Sequence, residues 1–464
     1  MRDVRYGPFV AFVFSLAFVG ACGGPETLVS GDLAIVDVTV LPMDSERALE
    51  GQVVVVEAGR ITAIGSADDI GPEEGVEVID GDGLYVIPGL TEMHGHLPPP
   101  RMSDIDIKNL LFLYLANGVT TVRGMQGDDS QFALRAQVDR GLLVGPRFYL
   151  GSVSMNGGNV ATPEQAEQRV REYSVAGYDL VKVHEGLSRE AFDALARVAN
   201  EVGIPFGGHV PDAVGLRHAL VSGQRSIDHL DNYVEALVPP TDDTDSAELP
   251  RLTDVGSLLD RTDPALISEL VSATVAADAW VVPTMVLWET AFFGDRTAAD
   301  TGAERPEIRY MPPETVEEWK QAVDNRLAES DVSTNRQAAE LRRRILQALH
   351  EGGANIALGT DSPQIFNVPG FSMHREMALY AELGMSPYEV LETATRKPAE
   401  YFEATDEWGT VAVGQRADLV LLQANPLDDI ANLSDRAGVL VNGRWFPEEE
   451  IQRRLEEMAR FYGN

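Results

Sequence analysis

The sequence contains almost no cysteine: Cys22 is the only one among 464 residues. A single cysteine cannot form a disulfide bond within its own chain, so a fold held by internal disulfides is excluded. The cysteine follows a short basic start and an apolar run that covers roughly residues 9 to 19. This layout is typical of an export signal, and the run is too short to cross a bilayer as a stable helix.

The residues "VGAC" that end at Cys22 resemble the lipobox of bacterial lipoproteins. We therefore expect residues 1–21 to be a signal peptide and Cys22 to carry a lipid after cleavage. The protein would then be exported to the periplasm or cell surface, and it would contact the membrane only through this anchor. The alternative is an ordinary signal peptide followed by an incidental cysteine.

Positive charge is also scarce. The chain has 37 Lys and Arg against 73 Asp and Glu, which gives a formal net charge of −36. Proteins that bind nucleic acids carry basic patches, so this charge argues against a nucleic-acid partner. Lysine is particularly rare, which makes Lys182 within the apolar segment "DLVKVH" unusual.

The pattern along the chain indicates an α/β fold with flanking β-rich regions. Residues 22–87 and 405–447 are rich in Val and Ile between Gly, Asp and Pro, which predicts short strands. Between residues 88 and 404, eight short apolar segments alternate with helical stretches, which predicts a (β/α)8 TIM barrel. We expect the flanking regions to form one small β-sandwich domain from both termini, and residues 448–464 to form a C-terminal helix.

Two longer segments, residues 234–265 and residues 289–345, interrupt the predicted barrel after late strands. The first is acidic and rich in proline, and the second is charged and predicted to be helical. Long insertions on the active-site side of a barrel commonly serve as lids or oligomer contacts, so a homo-oligomer is possible.

Six polar side chains fall at the predicted carboxyl ends of barrel strands, where TIM barrels place their active sites. The first two, in "GLTEMHGHL", are two residues apart and so share one face of a strand. Imidazole and carboxylate ligands suit a borderline metal such as zinc, so we predict a metal site. The six residues are His94, His96, Lys182, His209, His229 and Asp361.

Lys182 is the unusual member of this set. A buried ammonium group next to metal cations is heavily disfavoured. A neutral lysine, in contrast, can react with carbon dioxide to give an anionic carbamate whose two oxygens can bridge two metal ions. The alternative is an ion pair between Lys182 and a barrel carboxylate such as Glu92.

Several motifs resemble the amidohydrolase superfamily, and the similar segments cover residues 33–447. Within it, the chain is similar to the imidazolonepropionase-like and Xaa-Pro dipeptidase (prolidase-like) branch with a binuclear metal site. The resemblance implies hydrolysis of a carbon–nitrogen bond in a small-molecule amide, such as a dipeptide or N-acyl amino acid. It also implies two divalent metal ions, with zinc expected and manganese or cobalt left open. The motifs include "VIPGLTEMHGHL", "NGVTTVRGM", "DLVKVHEG", "SIDHLD", "ALGTDSP" and "GTVAVGQRADLVLL".

The resemblance also implies roles for the six residues. His94 and His96 would bind a buried ion together with Asp361, whereas His209 and His229 would bind a more exposed ion. Carboxylated Lys182 would bridge the two ions, as would a hydroxide that attacks the amide carbonyl. Asp361 would take the proton from this nucleophile and pass it to the leaving nitrogen.

Four further residues are candidates for substrate contact. Tyr233, just past strand six, could donate a hydrogen bond to the oxyanion or to a substrate carboxylate, or it could pack at the rim. His184 could contact substrate or support the bridge, and Arg123 could bind a carboxylate or form a rim salt bridge. His374 is expected to order the loop near Asp361, with substrate contact as an alternative.

One segment departs from the prolidase-like pattern. Asn159 in "MNGGNVA" stands where related proteins often carry a histidine, which weakens the assignment to dipeptides. A cyclic-amide hydrolase or a deaminase is the enzymatic alternative, although one-metal relatives dispense with the lysine of strand four. A binding lipoprotein without catalytic activity is the third alternative, and the intact ligand set argues against it.

Overall fold

The computed structural model describes residue 25, residues 27–239 and residues 255–463. The predicted signal peptide, the predicted lipidation site Cys22 and residues 240–254 of the first insertion lie outside the described residues. Within the part of the chain that is described, no helix is both long and apolar enough to cross a membrane.

Short strands occupy the N-terminal region, as the sequence predicts. Alternation of side chains along β3 directs Val53 and Val55 to one face and Val54 and Val56 to the other, and both faces are buried. The strands are β1 (Thr27–Val29), β2 (Leu33–Val40), β3 (Leu49–Glu57), β4 (Arg60–Ser66), β5 (Ile70–Pro72), β6 (Glu77–Asp80) and β7 (Tyr85–Pro88).

Eight further strands follow in the predicted order and alternate with helices. Their pairings are parallel, so their carboxyl ends meet on one side of the fold. They are β8 (Leu90–Gly95), β9 (Val119–Gly124), β10 (Arg147–Leu150), β11 (Val181–Val183), β12 (Phe206–Gly208), β13 (Ser226–Asp228), β14 (Trp280–Val282) and β15 (Asn355–Ile356).

These eight strands form two parallel sheets, with the orders β10-β9-β8 and β11-β12-β13-β14-β15. Isolated parallel bridges link the two sheets on both sides, through Gly151 with Leu180 and through Gly95 with Ser362. The His96 amide also donates to the Ser362 carbonyl over 2.8 Å. The arrangement is an α/β fold of the TIM-barrel type.

Helix α4 (Arg189–Val202) illustrates how the sequence sets the helices between these strands. The Ser188 side chain caps its first turn, and Gly203, with φ of 75°, ends it. Phe192, Leu195 and Val198, spaced by three residues, are buried on one face.

The other helices up to the last barrel strand are α1 (Asp104–Leu115), α2 (Gln131–Asp139), α3 (Pro163–Ala176), α5 (Leu216–Val221), α6 (Val255–Leu259), α7 (Ile267–Ala276), α8 (Met285–Leu287), α9 (Ala298–Ala303), α10 (Pro313–Glu329) and α11 (Val332–Glu351). Those after it are α12 (Phe371–Glu382), α13 (Pro387–Ala394), α14 (Arg396–Tyr401) and α15 (Glu448–Phe461). The second insertion is helical, as predicted, because α9, α10 and most of α11 lie within it.

The C-terminal region adds β16 (Leu419–Leu422), β17 (Arg436–Val441) and β18 (Arg444–Pro447). These strands join the N-terminal ones in a single sheet with the order β18-β17-β16-β7-β2-β3-β4, and β6 pairs with β2. Both chain ends therefore contribute to one unit, as expected. The structure shows one large sheet, whereas the sequence predicted a sandwich, because β7 and β16 pair edge to edge. Only β1 and β5 form a separate two-stranded sheet among these described strands.

Candidate metal centre

His94 is held at the end of β8 by its partner on a distant strand. Its Nδ1 lies 2.6 Å from Oδ2 of Asp228, at the end of β13. Its Nε2 lies 3.4 Å from the Nζ atom of Lys182. Burial, together with the charges of Lys182 and Arg123, keeps the pKa of His94 well below its ordinary value. The imidazole is therefore neutral, as a metal ligand must be.

Asp361 converges with both histidines of β8. Its Oδ1 is 2.8 Å from Nε2 of His96 and 3.6 Å from Nε2 of His94. This oxygen is buried, and it has no correctly aligned hydrogen-bond donor among the described residues. Ligands of a shared cation bring their lone-pair atoms close together without a hydrogen bond between them. His94, His96 and Asp361 show this arrangement and form a candidate metal-binding group.

His209, just after β12, and His229, just after β13, complete the cluster. Nδ1 of His209 lies 2.7 Å from Asp231, and Nδ1 of His229 lies 2.8 Å from the Thr284 hydroxyl. Nε2 of His229 is buried without a partner among the described residues. Burial lowers the pKa of His209 to about 3 and that of His229 well below its ordinary value, so both rings are neutral.

The rings of this cluster are contiguous. Ring centroids are 4.4 Å apart both for His94 with His229 and for His209 with His229. A second candidate metal-binding group combines His209 with Glu185 and Asp231. Since Asp231 already contacts Nδ1 of His209, that group lies on the far side of the ring from the predicted metal-binding nitrogen.

Lys182 lies at the centre of the cluster and is only 2% exposed. Burial lowers its pKa. No described carboxylate lies within 4.0 Å of its Nζ. The alternative ion pair with Glu92 is absent, since Glu92 accepts hydrogen bonds from the His94 amide and from Thr360 instead.

Gly208 makes room for the lysine side chain. It has φ of 117°, and a Cβ atom there would lie 2.8 Å from Cδ of Lys182 and 2.7 Å from the Val183 carbonyl oxygen. The backbone of β12 therefore approaches the lysine as closely as only glycine allows.

Arg123 forms a salt bridge, the alternative to the predicted contact with a substrate carboxylate. Arg123 is fully buried, and it donates to Asp228 over 2.8 Å and to the Ser226 hydroxyl over 2.9 Å. It does not line the cavity at the metal centre. Instead its charge holds the pKa of the buried Asp228 below the ordinary value against the opposing effect of burial, and Asp228 in turn orients His94.

Tyr233 and His374 are also placed away from the centre. Tyr233 is fully buried, and its hydroxyl contacts the Thr274 hydroxyl on α7 at 2.8 Å. His374 lies in the first turns of α12, with Nε2 buried and without a partner in the described part of the chain. Neither residue lines the cavity, which favours the alternatives of packing for Tyr233 and an ordering role for His374; their contacts with an oxyanion or with substrate stay predictions.

His184 does reach the predicted place. Its ring lies 4.3 Å from that of His209, and it lines a cavity of about 340 Å³ at the metal centre. Asn159 does not line this cavity. Its side chain forms hydrogen bonds with the backbone of Asn156 and Ser154, and these two residues line the cavity. The cavity walls are His94, His96, Met125, Gln126, Ser154, Asn156, Lys182, His184, His209, His229, Leu287, Trp288, Phe292, Asp361 and Gln364.

Sequence reasoning missed the groups that orient the histidines. Asp228 and Asp231 flank His229 in "SIDHLD", and acids beside a strand-end histidine are a signal that could have been used. Thr284 and the aromatic wall of Trp288 carry no comparable signal in the sequence.

Comparisons with known proteins agree with this geometry. The amidohydrolase family profile matches residues 85–446. The structure is similar to that of bottromycin amidohydrolase, with 25% identity, a TM-score of 0.71 and coverage of 93% of this chain and 90% of that one. It is also similar to a Xaa-Pro dipeptidase with methionine bound in the active site, with 18% identity, a TM-score of 0.65 and coverage of 89% and 99%.

A curated relative is adenine deaminase 2 of Shouchella clausii, which is 26% identical over 195 residues, or 38% of this chain and 33% of the deaminase. The chain spans about a third of the length of the curated relatives that it matches. The family match extends over most of the chain and includes every strand that carries a candidate ligand. The chain therefore belongs to the amidohydrolase family.

Proposed function

We propose that the enzyme hydrolyses an amide bond of a dipeptide or an N-acyl amino acid. The observation that carries this proposal is the convergence of four histidines, Asp361 and a buried lysine without a described carboxylate partner at one end of parallel strands. We further infer that the two parallel sheets close into one eight-stranded barrel, which the bridges on both sides support.

The donor set suits two divalent metal ions, with zinc expected. His94, His96 and Asp361 would hold one ion, and His209 and His229 the other. His94, His96 and Asp361 form a candidate metal-binding group, and Nε2 of His229 is buried without a hydrogen-bond partner among the described residues. Bound there, the ions would lower the pKa of a water molecule and polarise the amide carbonyl.

Lys182 would serve both ions as a carbamate. Its neutral Nζ attacks the carbon of carbon dioxide, an N–C bond forms, and the nitrogen loses a proton to solvent. The product is an anion with two oxygens in place of a cation. The lowered pKa of Lys182 and the lack of a carboxylate partner support this modification.

Asp361 would move the proton of the reaction. With one oxygen of the carboxyl group held by an ion, the other oxygen would be left to accept a proton from the attacking water. The same carboxyl group can then donate that proton to the leaving nitrogen as the carbon–nitrogen bond breaks. His184 lines the cavity and is left to contact substrate.

The substrate class is supported by the neighbours. The similar structures include a Xaa-Pro dipeptidase and bottromycin amidohydrolase, whose names refer to peptide and amide substrates. Deamination or hydrolysis of a cyclic amide is the second candidate, and the match to adenine deaminase 2 favours it. Lys182 at the centre of the site favours the first candidate, because one-metal amidohydrolases dispense with this lysine.

The test is a screen of the metal-loaded enzyme against dipeptides and N-acyl amino acids, with metal content measured on the same preparation. We expect hydrolysis of some of these amides and about two metal ions per chain. The Asp361→Asn variant should lose about 10²–10⁴-fold in kcat while it retains part of its metal. The exposed Asp82 offers a matched control, since Asp82→Asn should behave like wild type. A fall of less than about tenfold for Asp361→Asn, or no hydrolysis of any amide, would contradict the proposal.

We also propose that the protein is exported and anchored by a lipid on Cys22, on the basis of the "VGAC" segment. A host that processes lipoproteins should incorporate labelled fatty acid into the wild-type chain and not into Cys22→Ala. Equal labelling of the two chains would remove the anchor from the proposal.

A further inference from the structure

A second, smaller cavity lies behind His209 at the same end of the fold. Glu185, Asp212, Asp231 and Glu235 contribute carboxylates to its wall, from the loops after β11, β12 and β13. No lysine or arginine nitrogen of the described residues lies within 4.0 Å of these four groups. The free space is about 30 Å³, which suits a head group rather than a whole substrate. We call this cavity the acidic pocket.

An unused acceptor also faces the acidic pocket. Asn232 is 6% exposed, and its Nδ2 donates to the Val210 carbonyl over 2.7 Å. Its Oδ1 is buried and has no donor among the described residues, although it belongs to a side chain that lines the pocket. A buried acceptor without a donor is costly, so this oxygen indicates a ligand that brings N–H groups or positive charge.

Arg342 also lines the pocket and brings one positive charge to it, and its buried Nε has no hydrogen-bond partner among the described residues. The guanidinium donates to the His229 carbonyl and lies 4.2 Å from the centre of the Trp288 ring. Its charge therefore offsets only part of the negative charge of the four carboxylates. The acidic pocket still favours a cation.

The rest of the pocket wall is apolar. Leu230, Val234, Leu258 and Trp288 lie beside the carboxylates. An inorganic cation requires oxygen ligands on all sides, whereas an alkylammonium group places its charge on the acids and its methylene stem on apolar walls. Trp288 also lines the larger cavity at the metal centre, so one substrate can extend from one cavity to the other.

We propose that the acidic pocket binds the ammonium group at the end of a substrate side chain, so that the enzyme prefers amides of lysine-like amino acids. This inference rests on the proposed function, because the scissile amide lies at the metal centre while the side chain enters the pocket. Glu235 is the residue to vary, since it is 6% exposed and makes no hydrogen bond or ion pair with a predicted metal ligand among the described residues. Asp231 is unsuitable because it orients His209.

The experiment compares matched dipeptides and N-acetyl amino acids that carry lysine or norleucine at the same position. These side chains have similar length, and only lysine carries charge. With the metal-loaded enzyme we expect kcat/KM to be at least about tenfold higher for lysine at one position. The Glu235→Gln variant should reduce this ratio at least about tenfold, and Asp212→Asn at the exposed mouth should reduce it less. Glu74→Gln, on an exposed turn of the terminal sheet, should leave the ratio unchanged.

Equal kcat/KM for the two side chains, or a ratio that Glu235→Gln leaves intact, would overturn the acidic pocket and leave the proposed function standing. If no amide is hydrolysed, the proposed function fails. Calorimetric titration with pentylamine and with pentanol then tests separately whether the acidic pocket binds an alkylammonium group. Binding of pentylamine that Glu235→Gln abolishes supports the pocket. Absence of pentylamine binding, or binding of Ca²⁺ in its place, overturns it. Thermal unfolding and metal content show whether the Glu235→Gln variant folds. If it does not, the Asp212→Asn variant is compared with wild type instead.

Discussion

Three histidines of this site are oriented in the same way. Three histidines each have Nδ1 held by an oxygen, from Asp228, Asp231 or Thr284, so that Nε2 is left for a ligand. A partner on one ring nitrogen fixes the tautomer and orientation of the ring. Because burial also keeps these rings neutral, their lone pairs are available before any metal ion binds.

The prediction for a single residue concerns Lys182. Lys182→Ala should lose most of its bound metal and its activity, because the carbamate oxygens that connect the two ions are removed. A short carboxylate such as acetate at high concentration should restore part of both, since it supplies two oxygens where the side chain was. Metal per chain and kcat/KM are the measurements. Lys320→Ala, on the exposed face of α10, is the matched control, and full activity of Lys182→Ala would rule out the bridging role.

The candidate ligands could be predicted from the sequence because each lies at the end of a strand, where position and direction follow from the pleat. Tyr233 could not be placed in this way. His229, Leu230 and Asn232 before it all have positive φ, so the chain leaves β13 along a path that no periodicity describes. The partner of Arg123 could not be identified for a different reason: Asp228 is 105 residues away in the sequence.

At the scale of elements, α12 is tied to the end of β14 by one buried carboxylate. Glu376 accepts hydrogen bonds from the amides of Met285 and Val286, over 2.9 and 2.8 Å, at the start of α8. The following residues of that segment, Leu287 and Trp288, form part of the cavity wall. The position of this wall therefore depends on a contact that lies outside the cavity.

Glu376 makes stability depend on pH. Burial raises its pKa from 4.5 to about 8, against the lowering effect of the two amide donors. The folded state then holds a proton that the unfolded state releases, so wild type should lose about 1.4 kcal/mol of unfolding free energy per pH unit between these values, relative to Glu376→Gln. Below the unfolded pKa the stabilising contribution is complete, and above about pH 8 the difference levels off. Urea unfolding of both proteins at about pH 5.5, 7 and 8.5 measures this, and a difference that is constant with pH would contradict it.

The existence and order of the elements followed from alternating apolar segments, but several boundaries did not. The apolar segment "AWVVPTMVL" is divided between two elements, since β14 ends at Val282 and Met285–Leu287 is helical. Thr284 between them has φ of 46°, a backbone conformation that a threonine in the sequence does not predict. This break places the Thr284 hydroxyl within hydrogen-bonding distance of Nδ1 of His229, where it helps to orient the ring.

For the whole molecule, the terminal sheet and the parallel sheets are parts of one packed structure. Only Gly89 separates β7 of the terminal sheet from β8, which carries His94. Val420 and Leu422 of β16 belong to the same core cluster as Ile87 and Leu90. The boundaries predicted at residues 87 and 404 stay predictions, and this packing argues that the pieces on either side depend on one another.

Cleavage between Thr405 and Glu407 tests that dependence. These residues are exposed, so a protease can reach a site inserted there. We expect the two fragments to stay together, because β16 remains paired with β7, Arg147 remains paired with Asp418, and buried leucines such as Leu419 and Leu421 contribute about 1.5–3 kcal/mol each. Size-exclusion chromatography and thermal unfolding are the measurements, with the uncut insertion variant as control. The cut protein should elute as one species with its metal and unfold in one transition, whereas a chain that ends at residue 404 should be insoluble or free of metal. Separation of the fragments without denaturant, with metal retained by the longer one, would instead show that the parallel sheets fold independently of the C-terminal strands.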